Sequence, residues 1–124
     1  MTPVSITYNQ MVVRGLTDDV ADRIFQALAD RTRRDIVTRV IEQEQSVSSL
    51  AERYAMSFAA VQKHVAVLER AGLVAKERRG REQIVRGDVG TIRQANALLD
   101  AYEHLWHQRL ARAESLVADP TQSH

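Results

Sequence analysis

One boundary restricts the fold more than any other. Before Gly72, Val61, Val65 and Leu68 recur at i, i+4 and i+7, and Ser57 stands where an N-cap belongs, so a helix is predicted over 58–71. Gly72 is a good C-terminal glycine for that helix. After it the texture changes at once. Leu73-Val74-Ala75-Lys76-Glu77-Arg78 and Gln83-Ile84-Val85-Arg86 read as two short strands, joined by Arg79-Gly80-Arg81-Glu82. Gly80 can take the positive φ of a tight hairpin turn. A helix that runs straight into a hairpin, with no linker between, leaves few architectures open.

The rest of the chain is read outward from this junction. Thr17 is a plausible cap, with Asp18 and Asp19 in the dipole-favoured first turn, and Val20, Ile24, Ala27 and Leu28 give a helix over 18–29. Asp30-Arg31 is a break. Thr32 and Asp35 resemble a capping box, opening a helix over 32–43 with Ile36, Val37, Val40 and Ile41 on its apolar stripe. Ser46, Ser48 and Ser49 compete to cap a short helix at about 48–55, and Met56-Ser57 makes a tight connection to the next. Beyond the hairpin, Asp88 caps a long helix over 88–118, which Asp119-Pro120 should stop. Its stripe is Ile92, Ala95, Leu99, Tyr102, Trp106, Leu110, Ala113 and Val117. At 1.5 Å per residue such a helix is roughly 46 Å long and outreaches a domain this small. Its stripe needs a partner, and a second copy is the simplest one. The expected division is an arm at 1–16, one domain at 17–118 and a tail at 119–124.

Helix, helix, short helix, tight turn, helix, hairpin, long helix is the plan of a winged helix-turn-helix: mainly α with a small β-hairpin. Such a fold puts its second helix in the major groove and its hairpin tip on phosphate or minor groove. The net charge of +1 does not speak to DNA, but its distribution does. Residues 53–86 hold eight cations against three anions, a local +5 that leaves −4 for the remainder. The absence of Cys removes disulfides, thiolate metal ligands and a Cys nucleophile, and agrees with a reducing compartment. Neither a signal-peptide run nor a membrane span is present, so the expected location is the cytoplasm.

The resemblance to one family rests on five segments in order. Residues 25–37, FQALADRTRRDIV, resemble the "hALADpTRRxIL" opening of ArsR-family winged-helix regulators. Ser48-Ser49-Leu50-Ala51-Glu52 is similar to the family's "vSELA". Met56-Ser57, Ala60–Val65 and Val67–Val74 are similar to "MSrpAVSqHLkVLeeAGLV". Gly80-Arg81 stands where the family's wing has Gly-Arg, and Leu105–Leu110 resembles the "fWxeRL" of a non-metal subgroup. The resemblance implies a homodimeric DNA-binding regulator, usually a repressor on a pseudo-palindromic double-stranded operator. It also implies dimerisation through the first and last helices, here with Ile24, Leu99, Tyr102, Trp106 and Leu110.

The expected DNA-contacting residues are Ser57, Phe58, Ala59, Gln62, Lys63 and His64 on the reading helix, with Arg78, Arg79 and Arg81 on the wing. Gln62 can pair with adenine, Lys63 with guanine or phosphate, and Phe58 or Ala59 with a thymine methyl. The bland alternatives are a solvated helix face and a solvated loop. Phe58 and Gln62 depart from the family's commoner Arg and Ser, so base preference does not carry over. His64 fits helix packing or a phosphate contact as well as it fits base reading. Asp100/His104 and Glu103/His107 are i, i+4 pairs that suggest zinc, but the family's metal-sensor patterns are missing, so no metal or cofactor is expected. Ser57 and His64 sit two turns apart with no orienting acid, so no catalytic residue and no enzyme are expected. A metal-responsive repressor and a winged-helix protein-interaction module are the alternatives. A small-molecule effector is left open.

Overall fold

A computed structural model describes residues 16–122, with side chains through Val117. The arm expected at 1–16, Leu16 apart, and the side chains of the tail lie outside the described residues. Five helices and three strands follow in this range: α1 (Asp18–Leu28), α2 (Arg31–Glu42), β1 (Gln45–Ser46), α3 (Val47–Ala51), α4 (Phe58–Arg70), β2 (Val74–Arg79), β3 (Glu82–Gly87) and α5 (Val89–Gln122).

Short polar side chains set the helix starts. Thr17 Oγ1 accepts the Val20 N–H at 3.2 Å and caps α1. The cap of α2 is Asp30, not Thr32: its Oδ2 accepts the Arg33 N–H at 3.0 Å. A carboxylate gains from the helix dipole as well as the hydrogen bond, and Asp30 already has the extended backbone a cap requires. The capping box expected with Asp35 therefore does not form. Of the three candidate serines, Ser46 caps α3 by accepting the Ser49 N–H at 3.0 Å. This helix is shorter than the spacing predicts. After Ala51 the bonds tighten to i→i−3, from Arg53 N to Leu50 O and from Tyr54 N to Ala51 O, and the chain leaves α geometry.

Strands β2 and β3 pair antiparallel from Val74↔Gly87 to Arg79↔Glu82, leaving Gly80-Arg81 as a two-residue loop. Gly80 has φ +62° and Arg81 a negative φ, the sign pattern of a type II′ turn. Gln45↔Val85 and Ser46↔Ile84 add a third strand, so the sheet order is β1-β3-β2. Two residues carry no readable period, which is why β1 is absent from the sequence reading. Ile41, placed on the buried stripe of α2 by spacing, is half exposed and lies over Gly87, where a Cβ would come within 2.7 Å of its Cγ1.

Asp88 caps α5, its Oδ1 accepting the Gly90 and Thr91 N–H groups at 2.9 and 3.4 Å. The helix continues through Asp119-Pro120, where a stop is predicted, to Gln122. A proline this near a helix end removes one amide donor without disrupting a long run of bonds. The chain divides into two units, and α5 passes from one to the other at Ala95–Asn96. Leu16–Ala95 holds the core. Ile24, Ile36, Leu50, Val61, Val65, Leu68, Leu73 and Val85 are fully buried there, each worth about 1.5–3 kcal/mol of apolar transfer. Ile24, expected at a subunit surface, is one of them. A side chain with no accessible area has none to offer a second copy, and the exposed apolar residue of α1 is its neighbour Phe25. In the second unit, Leu99, Tyr102, Trp106 and Leu110 are between 43 and 60 % exposed, and the Arg109 guanidinium lies over the Trp106 ring at 5.7 Å.

Candidate nucleic-acid interface

Helix α4 is anchored by apolar spacing and aimed by its cap. Val61, Val65 and Leu68 have no accessible surface, so the opposite side of the helix must face outward. Ser57 Oγ accepts the Ala60 N–H at 3.1 Å and fixes where the first turn begins. Ser57, Phe58, Ala59, Gln62 and Lys63 are all exposed on that outward surface. The first turn carries no acid, so the positive end of the helix dipole is left uncancelled. Phe58 is 46 % exposed, an unusual place for a phenyl ring that no core demands.

His64 does not share this surface. It is partly buried and turned toward the start of α2, where its Nδ1 lies 3.3 Å from Arg33 Nη1 and 3.9 Å from Asp30 Oδ2. Arg33 can only donate, so Nδ1 accepts and the ring proton sits on Nε2. Arg33 also donates from Nε to the Ala27 carbonyl at 2.8 Å and from Nη2 to the Gln26 carbonyl at 3.2 Å. One guanidinium thus closes the C-terminus of α1 and joins it to α4. The Arg33 amide hydrogen bond holds the Asp30 carboxyl below the ordinary carboxylate range, and the charge of Arg33 adds to this. The sequence contains a signal for this contact, since a basic side chain soon after a helix end can bond its last carbonyls.

The wing arginines part company. Arg81 is exposed at the tip and forms no hydrogen bond or ion pair among the described residues. Arg78 is exposed and donates only to the Gly80 carbonyl, at 3.3 Å. Arg79 is engaged instead: Nη1 is 2.8 Å from Glu44 Oε1, and Nη2 is 3.1 Å from Glu77 Oε1. The Arg79 hydrogen bond pulls the Glu77 carboxyl below its ordinary value. The three arginines expected to act together are thus two outward cations and one tether between the hairpin and the α2–β1 connection. Glu44 is 35 positions away in sequence, and no local pattern announces it.

A second cluster braces the helix-turn-helix from behind. Tyr54 Oη donates to Asp35 Oδ2 at 2.5 Å, Arg39 Nε donates to the same oxygen at 2.7 Å, and the Arg39 guanidinium lies 5.9 Å from the Tyr54 ring centroid. Burial, followed by the bond to Asp35, pushes the Tyr54 hydroxyl up to about 12. Asp35 is held low, first by Tyr54 and then by Arg39. The Asp35–Arg39 half is a legible i, i+4 pair, whereas Tyr54 arrives from the turn that follows α3. On α5, His107 and Glu103 lie 3.8 Å apart. Among the described residues, no three His, Asp or Glu side chains gather in a way that could hold a metal ion.

Comparison with known proteins agrees with this geometry. A family model described as a helix-turn-helix domain matches residues 23–77. The chain is 33% identical over 96 residues to the HTH-type transcriptional regulator Rv2034 of Mycobacterium tuberculosis, covering 77% of this chain and 87% of that one. Among solved structures, an ArsR-like transcriptional regulator from Rhodococcus sp. RHA1 is 33% identical with a TM-score of 0.71, over 79% of this chain and 92% of that one. A homodimeric winged helix-turn-helix DNA-binding domain from Mycobacterium bovis is 28% identical with a TM-score of 0.57, over 75% of this chain and 94% of that one.

Proposed function

The chain belongs to the ArsR family of winged helix-turn-helix transcriptional regulators, which are DNA-binding, and on that premise we propose that it acts as a cytoplasmic homodimeric repressor on a pseudo-palindromic operator. The observation that carries this reading is the outward side of the first two turns of α4. Three apolar residues bury one side, and Phe58, Gln62 and Lys63 are left exposed on the other, Gln62 and Lys63 with no side-chain hydrogen bond or ion pair among the described residues. Gln62 suits an adenine edge, Lys63 a guanine or phosphate, and Phe58 a thymine methyl. Arg78 and Arg81 reach phosphate or minor groove beside it. The exposed stripe Leu99, Tyr102, Trp106 and Leu110 supports pairing of two copies through α5, with Phe25 in place of Ile24 as the apolar contribution of α1. Two reading helices would then enter successive major grooves about 34 Å apart.

The test is a mobility shift with promoter DNA at moderate salt, joined to sedimentation velocity. A specific complex of two chains per site is expected, lost in Gln62→Ala/Lys63→Ala. Trp106→Glu should sediment as a monomer and bind DNA far more weakly. A dimer that binds the promoter fragment no better than random DNA would refute the proposal. A stoichiometric protein partner without salt-dependent DNA affinity would replace it with an interaction module.

A further inference from the structure

Two clefts adjoin on the flank of the Leu16–Ala95 unit, where α1 meets the C-terminal half of α4. The larger, about 290 Å³, is lined by Arg23, Gln26, Ala27, Arg33, Val67 and Arg70. The other, about 240 Å³, shares Arg23 and Arg70 and adds Glu69, Thr91 and Gln94. Three guanidinium groups from three helices thus border one recess. Neither Arg23 nor Arg70 has a hydrogen bond or ion pair among the described residues. The one lining carboxylate, Glu69, lies 3.5 Å from Lys76 Nζ and is partly neutralised by it.

Arg33 makes the recess a built site. Its guanidinium is fixed by the Ala27 and Gln26 carbonyls and by His64, so three of its five N–H donors are engaged and two remain. A cation held by main-chain carbonyls loses little freedom on meeting a ligand. Arg23 and Arg70 are longer-reaching neighbours able to close over the same guest. Ala27 and Val67 give the recess an apolar wall, and the pocket is at the small end of the roughly 300–1,000 Å³ seen for organic ligands. DNA is a poor candidate for it. Arg70 lies seven residues, roughly 10 Å, along α4 from Lys63, at the end away from the reading turn. The site is also concave, whereas a duplex backbone needs cations that project. Phe25, the exposed apolar residue of α1, lies about 160° round the helix from Arg23 and does not line the cleft.

We propose that this arginine-lined cleft binds a small organic anion bearing a carboxylate or phosphate group, and that this anion is the regulator's effector. The coupling element is Arg33. A guest that binds its two remaining donors pulls on the same guanidinium that holds His64, which sits next to Lys63 on the reading helix, and so shifts the balance between two placements of α4. The effector role rests on the DNA-binding reading above, whereas the anion site does not.

The test uses the full-length protein, with succinate and inorganic phosphate as separate probes at constant ionic strength. Titration followed by ¹H–¹⁵N spectra should saturate with at least one probe, moving the Arg33 Nε–H and the amides of Arg23 and Ala71. The two titrations tell a carboxylate site from a phosphate site. Arg23→Gln/Arg70→Gln, both at exposed positions, should weaken binding by about tenfold or more, since it removes two charge-assisted contacts. Shifts that never saturate, or that persist unchanged in the double variant, would overturn the site. DNA binding without probe is measured first, in both proteins. With the site saturated, operator affinity should change in the native protein and not in the double variant. An unchanged native affinity would overturn the effector role.

Discussion

The separation of the wing arginines leads to a quantitative prediction about Arg81→Ala and Arg79→Ala. Each phosphate that a protein neutralises on B-DNA contributes about 0.9 to the slope of log affinity against log salt. Arg81 is exposed at the second turn position with no partner among the described residues, so it is free to take one phosphate in each wing of a dimer. Its loss should flatten the slope by about 1.8, two contacts at 0.9 each. Between 50 and 200 mM salt the native protein should therefore lose about 12-fold more affinity than the Arg81→Ala variant. Arg79 starts from a different state. Its guanidinium already touches Glu44 and Glu77, and a phosphate could recruit it only by displacing one of them. Arg79→Ala should leave the slope nearly unchanged and lower affinity uniformly with salt, through a less fixed hairpin. The assay is fluorescence anisotropy of a labelled operator at five salt concentrations. Equal flattening of the slope by both variants would refute the division, and so would an unaltered slope in Arg81→Ala.

Four further outcomes follow from individual residues. Tyr54→Phe removes a hydrogen bond to a charged acceptor and should lower stability by about 1–2 kcal/mol, read as a fall in urea midpoint without a change in m. The same variant should differ in alkali. The raised Tyr54 value means the native state holds that proton more tightly, so its contribution is whole below about 10 and is lost as pH climbs to about 12; Tyr54→Phe should lack that component of the decline. Gly72→Ala forces a side chain onto a φ of +78° and brings its Cβ within 3.1 Å of Thr91 Oγ1, a loss of about 1–2 kcal/mol in thermal unfolding. If Gln62 reads an adenine, Gln62→Ala should cost about 1–3 kcal/mol on the best operator and nothing on one substituted at that base pair, as measured by competition binding.

The sequence by itself determined those parts of the molecule whose causes are local. Val61, Val65 and Leu68 repeat with the pitch of a helix, Ser57 supplies its own cap, and Gly72 and Gly80 adopt positive φ because no other residue does so freely, so the reading helix and the wing are legible at their true places. The outward residues Phe58, Gln62 and Lys63 follow from the inward ones by subtraction. Tertiary structure decided everything that depends on who arrives from elsewhere. Asp35, read as half of a capping box, is bonded instead by Tyr54 from 19 positions away, and Arg79, read as a DNA contact, is paired with Glu44. His64 took Arg33 from 31 positions away, and Ile24 went into the core while Phe25 stayed out. A side chain's spacing says which face it is on. What stands opposite that face, and therefore whether a charge is spent within the chain or kept for a partner, is settled only when the helices pack.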